Sequence, residues 1–190
     1  MKILTIQPLS IVSRLEKGEI VYPNDDVILE KNDDSFISAY KWMVDKMDEN
    51  CIKGKMTEFP FWGWYIYDNK KGSDILSCED LDIKGYGKNS CVILLSLDDD
   101  EVLLSEFNLW HCVLNNGFCV NAKTESEFDK MYEWYENLTS KEMNEEKLKS
   151  WNNIFNIEPF ENDFCSNGKY IQGTFWSINP NNVISIIRNT

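Results

Sequence analysis

The chain has 190 residues, 43% of them hydrophobic, and this length can bury one substantial core, so we expect a single domain over residues 1–190. Its 19 basic and 32 acidic residues give a formal net charge of −13, which repels phosphate backbones and anionic membranes and disfavours direct nucleic-acid binding. No apolar run reaches the ~20 residues that cross a bilayer, and the polar start lacks a secretory signal, so we expect a cytoplasmic protein. The frequent Asn, Lys, Ile, Asp and Glu residues are typical of AT-rich bacterial or phage genomes.

The N-terminal segment predicts a strand, a short helix and a second strand. Residues 2–7 alternate as an extended segment does, and Pro8 suits the first turn of a helix. That helix carries apolar side chains as far as Leu15, and Gly18 can adopt the left-handed conformation that ends it. Residues 19–23 then predict a short second strand.

An acidic stretch over residues 24–35 leads to the clearest helix of the sequence, for which Asp34 or Ser35 is the expected cap. The apolar positions of this helix recur with the spacing of one buried face. They are Phe36, Ile37, Tyr40, Met43, Val44 and Met47.

The segment FPFWGWYIY, residues 59–67, carries aromatic side chains on both alternating faces, which indicates a strand covered on both sides. Gly63 within it predicts a bulge or a close backbone approach. Trp62 and Trp64 flank this glycine, and they are either core side chains or a stacking floor for a flat ligand.

The stretch SEFNLWHCVLNNG contains the only histidine of the chain and predicts a helix capped by Ser105. Helical spacing divides it into an apolar face and a neighbouring polar stripe. The apolar face has Phe107, Trp110 and Leu114, and the polar stripe has Asn108, His111 and Asn115. Two interpretations remain open: His111 is a boundary side chain hydrogen-bonded to a neighbour, or the stripe lines a pocket beside the aromatic residues.

The remaining elements complete an α+β pattern. The run CVILLSL predicts a strand closed by the acidic turn DDDE, and Thr124 with Glu127 predicts a capping box before two further helices. Residues 169–178 and 183–188 predict a terminal hairpin around the turn NPNN. Strands at both ends with helices between them predict a mainly antiparallel sheet with several amphipathic helices.

Common catalytic motifs are absent from the sequence. A cysteine nucleophile would need His111 as its base, and its thiol would have to come from a distant residue, Cys78 or Cys165. The chain has no Cys-x-x-Cys pair and a single histidine, which disfavours a structural zinc site, and we expect no metal site. The many carboxylates leave metal-assisted hydrolysis open as an alternative, although acidic runs such as DDDE are typical of solvated loops.

Several motifs together resemble an uncharacterised bacterial family of small intracellular proteins. They are LTIQP, AYKWM, FPFWGWY, LLSEFNLWHCVLN, SWNNIF and IQGTFW, in this order over nearly the whole chain. The family has no assigned function, so this resemblance implies kinship without implying a chemistry.

The segments LTIQP…EKGEIVY and YIQGTFW also resemble, more distantly, ADP-ribosyltransferase-like domains. This second resemblance implies a fold of that type and a nucleotide-like ligand, with NAD as the candidate cofactor. It implies that Thr5 or Gln7 approaches the nicotinamide-side ribose and that Tyr22 or Trp64 stacks on the ring. Gln172 takes the late-strand position of the family's catalytic glutamate, with Thr174 two residues on.

Two sets of candidate residues follow. The catalytic candidates are Gln172, His111 and Glu106. The candidates for ligand binding are Thr5, Gln7, Tyr22, Trp64, Asn108, His111, Asn115 and Thr174.

A non-enzymatic interaction protein is the alternative. A small, acidic, aromatic-rich domain without a catalytic set suits an antitoxin, an immunity protein or a phage anti-defence inhibitor. Negative potential would steer a basic protein partner toward it.

Overall fold

A computed structural model describes residues 1–31, 33–78, 81, 87–161 and 166–189. The α-helices are α1 (Val12–Glu16), α2 (Asp25–Lys31), α3 (Asp34–Glu49), α4 (Phe107–Leu114), α5 (Glu125–Glu136) and α6 (Ser140–Ser150). The strands are β1 (Lys2–Pro8), β2 (Phe61–Tyr67), β3 (Lys70–Lys71), β4 (Ser90–Ser96), β5 (Leu103–Glu106), β6 (Phe160–Glu161), β7 (Ser166–Asn167), β8 (Ile171–Phe175) and β9 (Val183–Arg188). None of the helices in these ranges is long and apolar enough to cross a membrane.

The fold is α+β and is built on one antiparallel sheet, as the sequence predicts. The strand order is β5-β8-β2-β1-β4-β9, and β3 adds a short pairing to β2. Strands β6 and β7 form a separate two-stranded sheet. The central pair, β1 with β4, is in register from Lys2 opposite Ser96 to Pro8 opposite Ser90.

Both faces of the large sheet are covered. On the first face, α1 packs Val12 and Leu15 against a core that includes Ile3 and Phe175. On the second face, α3, α4 and a 3-10 turn over Trp151–Phe155 contribute to an aromatic-rich cluster. We call this second side the slot face, because it carries the cavity described below.

The predicted terminal hairpin is wrong. Strand β8 pairs with β2 and β5, and β9 pairs with β4, so β2, β1 and β4 lie between the two strands. Four inter-strand steps of about 4.8 Å span roughly 19 Å, and the seven residues 176–182 reach up to about 23 Å when extended. The NPNN segment is therefore part of a crossover, with a 3-10 turn over Pro180–Asn182 capped by Asn179.

One local prediction near the N-terminus also needs correction, and one helix there was not predicted. Residues 19–23 form no strand, because Val21 makes only an isolated bridge with Ile178. Part of the acidic stretch is helical instead, as α2, where the carboxylates of Asp25 and Asp26 lie in the first turn and complement the positive end of the helix.

The predicted helix caps are displaced by a residue. Asp33 caps α3, rather than Asp34 or Ser35, and its Oδ1 accepts hydrogen bonds from the backbone nitrogens of Ser35 and Phe36 at 3.0 Å each. At α4, Ser105 belongs to strand β5, and the following residue provides the cap.

The cap of α5 is confirmed at Thr124, which accepts from the backbone nitrogen of Glu127 at 3.2 Å. The reciprocal bond of the predicted capping box goes elsewhere, because the Glu127 carboxylate accepts from the backbone nitrogen of Lys123 at 2.9 Å.

Candidate functional site

A cavity of about 280 Å³ opens on the slot face between the sheet and helices α3 and α4. We call it the slot. Its lining is mostly aromatic and aliphatic, and among the described residues it contains no Asp, Glu, Lys or Arg. The lining residues are Leu4, Ile6, Phe36, Tyr40, Trp62, Gly63, Trp64, Phe107, Trp110, His111, Leu114 and Gln172.

The floor of the slot comes from three strands that are distant in sequence. Leu4 of β1 lies opposite Trp64 of β2, and Trp64 lies opposite Gln172 of β8. Because directly paired residues of antiparallel strands project to the same side of a sheet, all three side chains belong to the slot face. Strand pairing therefore assembles an apolar side chain, an indole and an amide at one place.

Gly63 lets β2 lie close to β1 beneath the slot. A Cβ atom at this position would be 2.5 Å from Cγ2 of Ile3 and 2.9 Å from the backbone oxygen of Leu4. The predicted close backbone approach is confirmed, and the strand pairing of β2 with β8 is also irregular between Trp64 and Ile66.

One wall of the slot is a cluster of three large rings. Tyr40 of α3 contacts Trp62 with a centroid distance of 5.5 Å, and Trp62 contacts Trp110 of α4 at 4.8 Å. Phe36 extends this wall through a contact with Tyr40 at 5.7 Å. Burial raises the pKa of Tyr40, so its hydroxyl group stays protonated at neutral pH.

A second part of the lining is a chain of edge-to-face contacts. Trp64 contacts Phe107 with a centroid distance of 4.7 Å, and Phe107 contacts the imidazole of His111 at 4.5 Å. Edge-to-face packing places the positive edge of one ring on the negative face of the next. This arrangement holds Trp64 and His111 in place at the slot.

The Trp62 indole nitrogen is a buried donor without an acceptor among the described residues. A buried donor left unpaired costs about 1–3 kcal/mol, so such groups are rare in native proteins. The Trp62 ring lines the slot, but its indole nitrogen is buried, so a bound molecule would reach this donor only after neighbouring side chains move.

Gln172 is the buried polar group of the floor, with 6% of its surface exposed. Its Nε2 donates to the hydroxyl oxygen of Ser105 on the neighbouring strand at 3.3 Å. Thr174, two residues on, is fully buried and donates to the backbone oxygen of Leu103 at 3.2 Å. Thr174 therefore lies on the slot face without lining the slot.

Glu106 caps helix α4 and does not line the slot. Its Oε2 accepts from the backbone nitrogen of Leu109 at 2.8 Å, and its Oε1 accepts from Nδ2 of Asn108 at 3.1 Å. Only 1% of its surface is exposed, and this burial raises the pKa of the carboxyl group against the lowering effect of those hydrogen bonds.

His111 combines the two interpretations that the sequence left open. Its ring lines the slot, and its Nδ1 lies 3.2 Å from the backbone oxygen of Phe107, one helical turn earlier. The rest of the polar stripe is exposed and bonded within α4: Asn115 donates to the backbone oxygen of His111 at 2.7 Å. Asn108 and His111 are also exposed, and of the three residues of the stripe His111 is the one among those that line the slot.

Three other candidates lie away from the slot. Thr5 and Gln7 project to the first face of the sheet, where Gln7 Nε2 donates to Thr5 Oγ1 at 2.7 Å and Thr5 donates to the backbone oxygen of Trp62. A Cβ on Gly63 would be 3.3 Å from Cβ of Thr5, which confirms that Thr5 lies on that face. Tyr22 borders a different surface hollow beside α2.

The thiols give no support to a cysteine nucleophile paired with His111. Cys78 is buried, and its sulfur donates to the backbone oxygen of Tyr67 at 3.5 Å. Cys165 lies outside the described residues. In the described ranges, no three of the His, Cys, Asp and Glu side chains are grouped to hold a metal ion.

Sequence reasoning missed the α3 wall of the slot. Phe36 and Tyr40 belong to the apolar stripe that predicts α3, and their i, i+4 spacing indicates only a shared face. A buried face that covers a core and one that borders a cavity have the same pattern, so sequence alone does not separate them.

The family of the chain follows from its sequence as a whole. A model of the family described as a domain of unknown function, DUF3841, matches residues 2–184. The chain belongs to the DUF3841 family. The expected membership of an uncharacterised family is thereby confirmed, and every residue that lines the slot lies within the DUF3841 match. No curated protein and no solved structure matches the chain.

Proposed function

We propose that this chain is a ligand-binding domain whose slot takes the flat ring of a nucleotide-like small molecule, with NAD as the first candidate. The observation that carries the proposal is the slot itself. Large aromatic walls with a small number of polar groups are the usual composition of small-molecule sites. Here the polar groups are the Gln172 amide and the His111 imidazole.

The size of the slot limits what enters it. Ligand sites commonly have volumes of about 300–1,000 Å³, and this cavity of about 280 Å³ lies at the lower end. A single heterocyclic ring system fits this volume, and a whole dinucleotide does not. We therefore expect one ring of NAD to occupy the slot and the rest of the molecule to lie outside it.

The proposal is for binding and not for group transfer. Stabilising a developing positive charge on a sugar calls for a carboxylate at the reacting centre. The described lining has none, and Glu106 is engaged as the cap of α4. Of the positions implied by the resemblance to ADP-ribosyltransferase-like domains, Trp64 and Gln172 support the proposal because they line the slot together.

A thermal-shift experiment tests the proposal. NAD, ADP-ribose, adenosine and nicotinamide are each added at millimolar concentration, and a ligand at 100 times its Kd stabilises the fold by about 2.7 kcal/mol. We expect Trp64→Ala to abolish the shift and Trp64→Phe to retain part of it. Trp134→Ala is the matched control, because Trp134 lies outside the slot on α5 and is 48% exposed.

Circular dichroism of each variant checks that it is folded before its binding is compared. If none of the four compounds shifts the wild-type transition, ligand binding of this class is wrong. The acidic interaction protein with a basic partner would then be the function to pursue.

A further inference from the structure

We propose that the slot selects its ligand by charge: it accepts an uncharged or cationic nitrogen heterocycle and rejects an anionic one. The inference rests on the ligand-binding function proposed above, and it narrows the class of ligand. In a nucleotide, the base enters the slot and the phosphates gain no contacts there.

The walls favour positive charge. The faces of aromatic rings are electronegative, and a cation close to such a face gains about 0.5–2 kcal/mol, depending on how far it is desolvated. Among the described residues, the lining has six aromatic rings besides His111: Phe36, Tyr40, Trp62, Trp64, Phe107 and Trp110. The formal net charge of −13 acts in the same direction at longer range.

The described lining offers no Lys or Arg side chain to an anion. A carboxylate or phosphate in this slot would lose its hydration without gaining a Lys or Arg partner. An unpaired charge in such a place is costly, whereas a neutral ring loses little. The Gln172 amide suits a neutral polar group equally well as donor or acceptor.

Helix N-termini are the other usual source of positive potential for an anion, and both at this slot are already occupied. Phe107 is the first residue of α4, and the Glu106 carboxylate caps that end. Phe36 lies in the first turn of α3, and the Asp33 carboxylate accepts its backbone N–H. Each helix thus presents a carboxylate at its first turn, where an anion would otherwise bind.

Two series of compounds test the inference by titration of tryptophan fluorescence or by calorimetry at pH 8. The first keeps one ring and changes its charge: 1-methylnicotinamide is cationic, nicotinamide is neutral and nicotinate is anionic. The second keeps adenosine and adds phosphates, as AMP, ADP and ATP. We expect nicotinate to bind roughly tenfold or more weakly than its two analogues, because its carboxylate loses hydration without gaining a cationic partner. Relative to 1-methylnicotinamide, it also lacks the cation–π attraction. We expect the added phosphates to give no gain in affinity.

The outcomes separate the two proposals. If no compound of either series binds and NAD gives no thermal shift, the proposed function is wrong. If nicotinate binds as tightly as nicotinamide, or affinity rises with phosphate number, binding is real and charge selection is wrong. NAD binding without binding by either series also contradicts the inference, because no base then enters the slot by itself.

A variant that adds a positive charge at the slot tests whether the effect is local. His111→Lys places a permanent cation at the exposed rim of the slot, and we expect nicotinate to gain roughly threefold to tenfold in affinity while 1-methylnicotinamide loses affinity. Ser185→Lys is the matched control, because it makes the same change of charge at an exposed position on β9, at the far edge of the sheet. Equal effects of both variants would assign the selectivity to net charge and overturn the role of the slot.

Discussion

Gly63 lies between two tryptophans that line the slot, and the constraint on this residue comes from the opposite side of the sheet. Trp62 and Trp64 project into the slot, while the missing side chain of Gly63 would project toward Ile3. The sequence predicts a close approach here, because glycine interrupts a strand of aromatic residues. The identity of the approaching group depends on the pairing of β1 with β2, which no local pattern specifies.

Gly63→Ala is expected to destabilise the fold by roughly 1–3 kcal/mol, the usual cost of overpacking, because the new Cβ overlaps with the Ile3 side chain and the Leu4 backbone. Urea denaturation measures the loss. Ile3→Ala removes one of the overlapping groups, so the double variant should lose less stability than the sum of the two single variants. Simple additivity would show that the overlap is relieved elsewhere.

Glu106 gives a pH-dependent prediction at the same scale. Burial raises the pKa of this carboxyl group above its ordinary value near 4.5, so the folded state holds the proton to a higher pH than the unfolded state does. The free energy of unfolding therefore falls as pH rises through the interval between the two pKa values. In Glu106→Gln this contribution is absent, because the amide does not titrate.

Urea denaturation of the wild type and Glu106→Gln from pH 4 to pH 8 measures this contribution. The stability of the wild type relative to the variant should decrease with rising pH and then become constant. Parallel curves over the whole range would contradict the raised pKa. The absolute offset between the two proteins also contains the altered cap of α4, so only the change with pH is diagnostic.

At the scale of elements, the sequence predicts the helices and strands better than their partners. The amphipathic stripe predicts α3, and the aliphatic run predicts β4. At α3 and α4, the residue that caps the helix is a neighbour of the predicted one. The pattern does not choose between neighbours, because Ser, Asp and Glu side chains near a helix start can all accept hydrogen bonds from its free N–H groups. Tertiary packing decides which of them has the right backbone conformation.

The cap of α5 is the element whose energetic contribution is easiest to isolate. Thr124→Ala removes the hydroxyl that accepts from the backbone of Glu127, and we expect a loss of about 0.5–2 kcal/mol in the free energy of unfolding. Ser126→Ala is the control, because it removes an exposed hydroxyl within the same first turn. Chemical denaturation compares the two, and an equal loss in both variants would show that the cap is not the cause.

At the scale of the whole molecule, both ends of the chain enter one sheet. Strand β1 lies in the interior of the sheet, and β9 forms an edge beside β4. The crossover from β8 to β9 spans three intervening strands, so the C-terminal segment depends on pairings made much earlier in the sequence. We propose on this basis that residues 1–190 form a single domain.

A single domain with this topology is expected to unfold in one cooperative transition. Tryptophan fluorescence reports the aromatic clusters, and far-ultraviolet circular dichroism reports the sheet and helices. The midpoints of the two signals in urea should coincide. Two separated midpoints would contradict a single cooperative transition.

The sequence by itself determined the α+β class, most of the helices and strands, the polar character of the α4 stripe and the family, because local periodicity and composition carry that information. Only the tertiary structure decided that Trp64 and Gln172 meet while Thr5 and Gln7 lie on the opposite face. The side to which a strand residue projects depends on the register and partner of its strand, and those pairings are long-range. The hydrophobic period that predicts α3 and β2 likewise could not show that their aromatic faces enclose a cavity, because packing against a core and lining a slot require the same side chains.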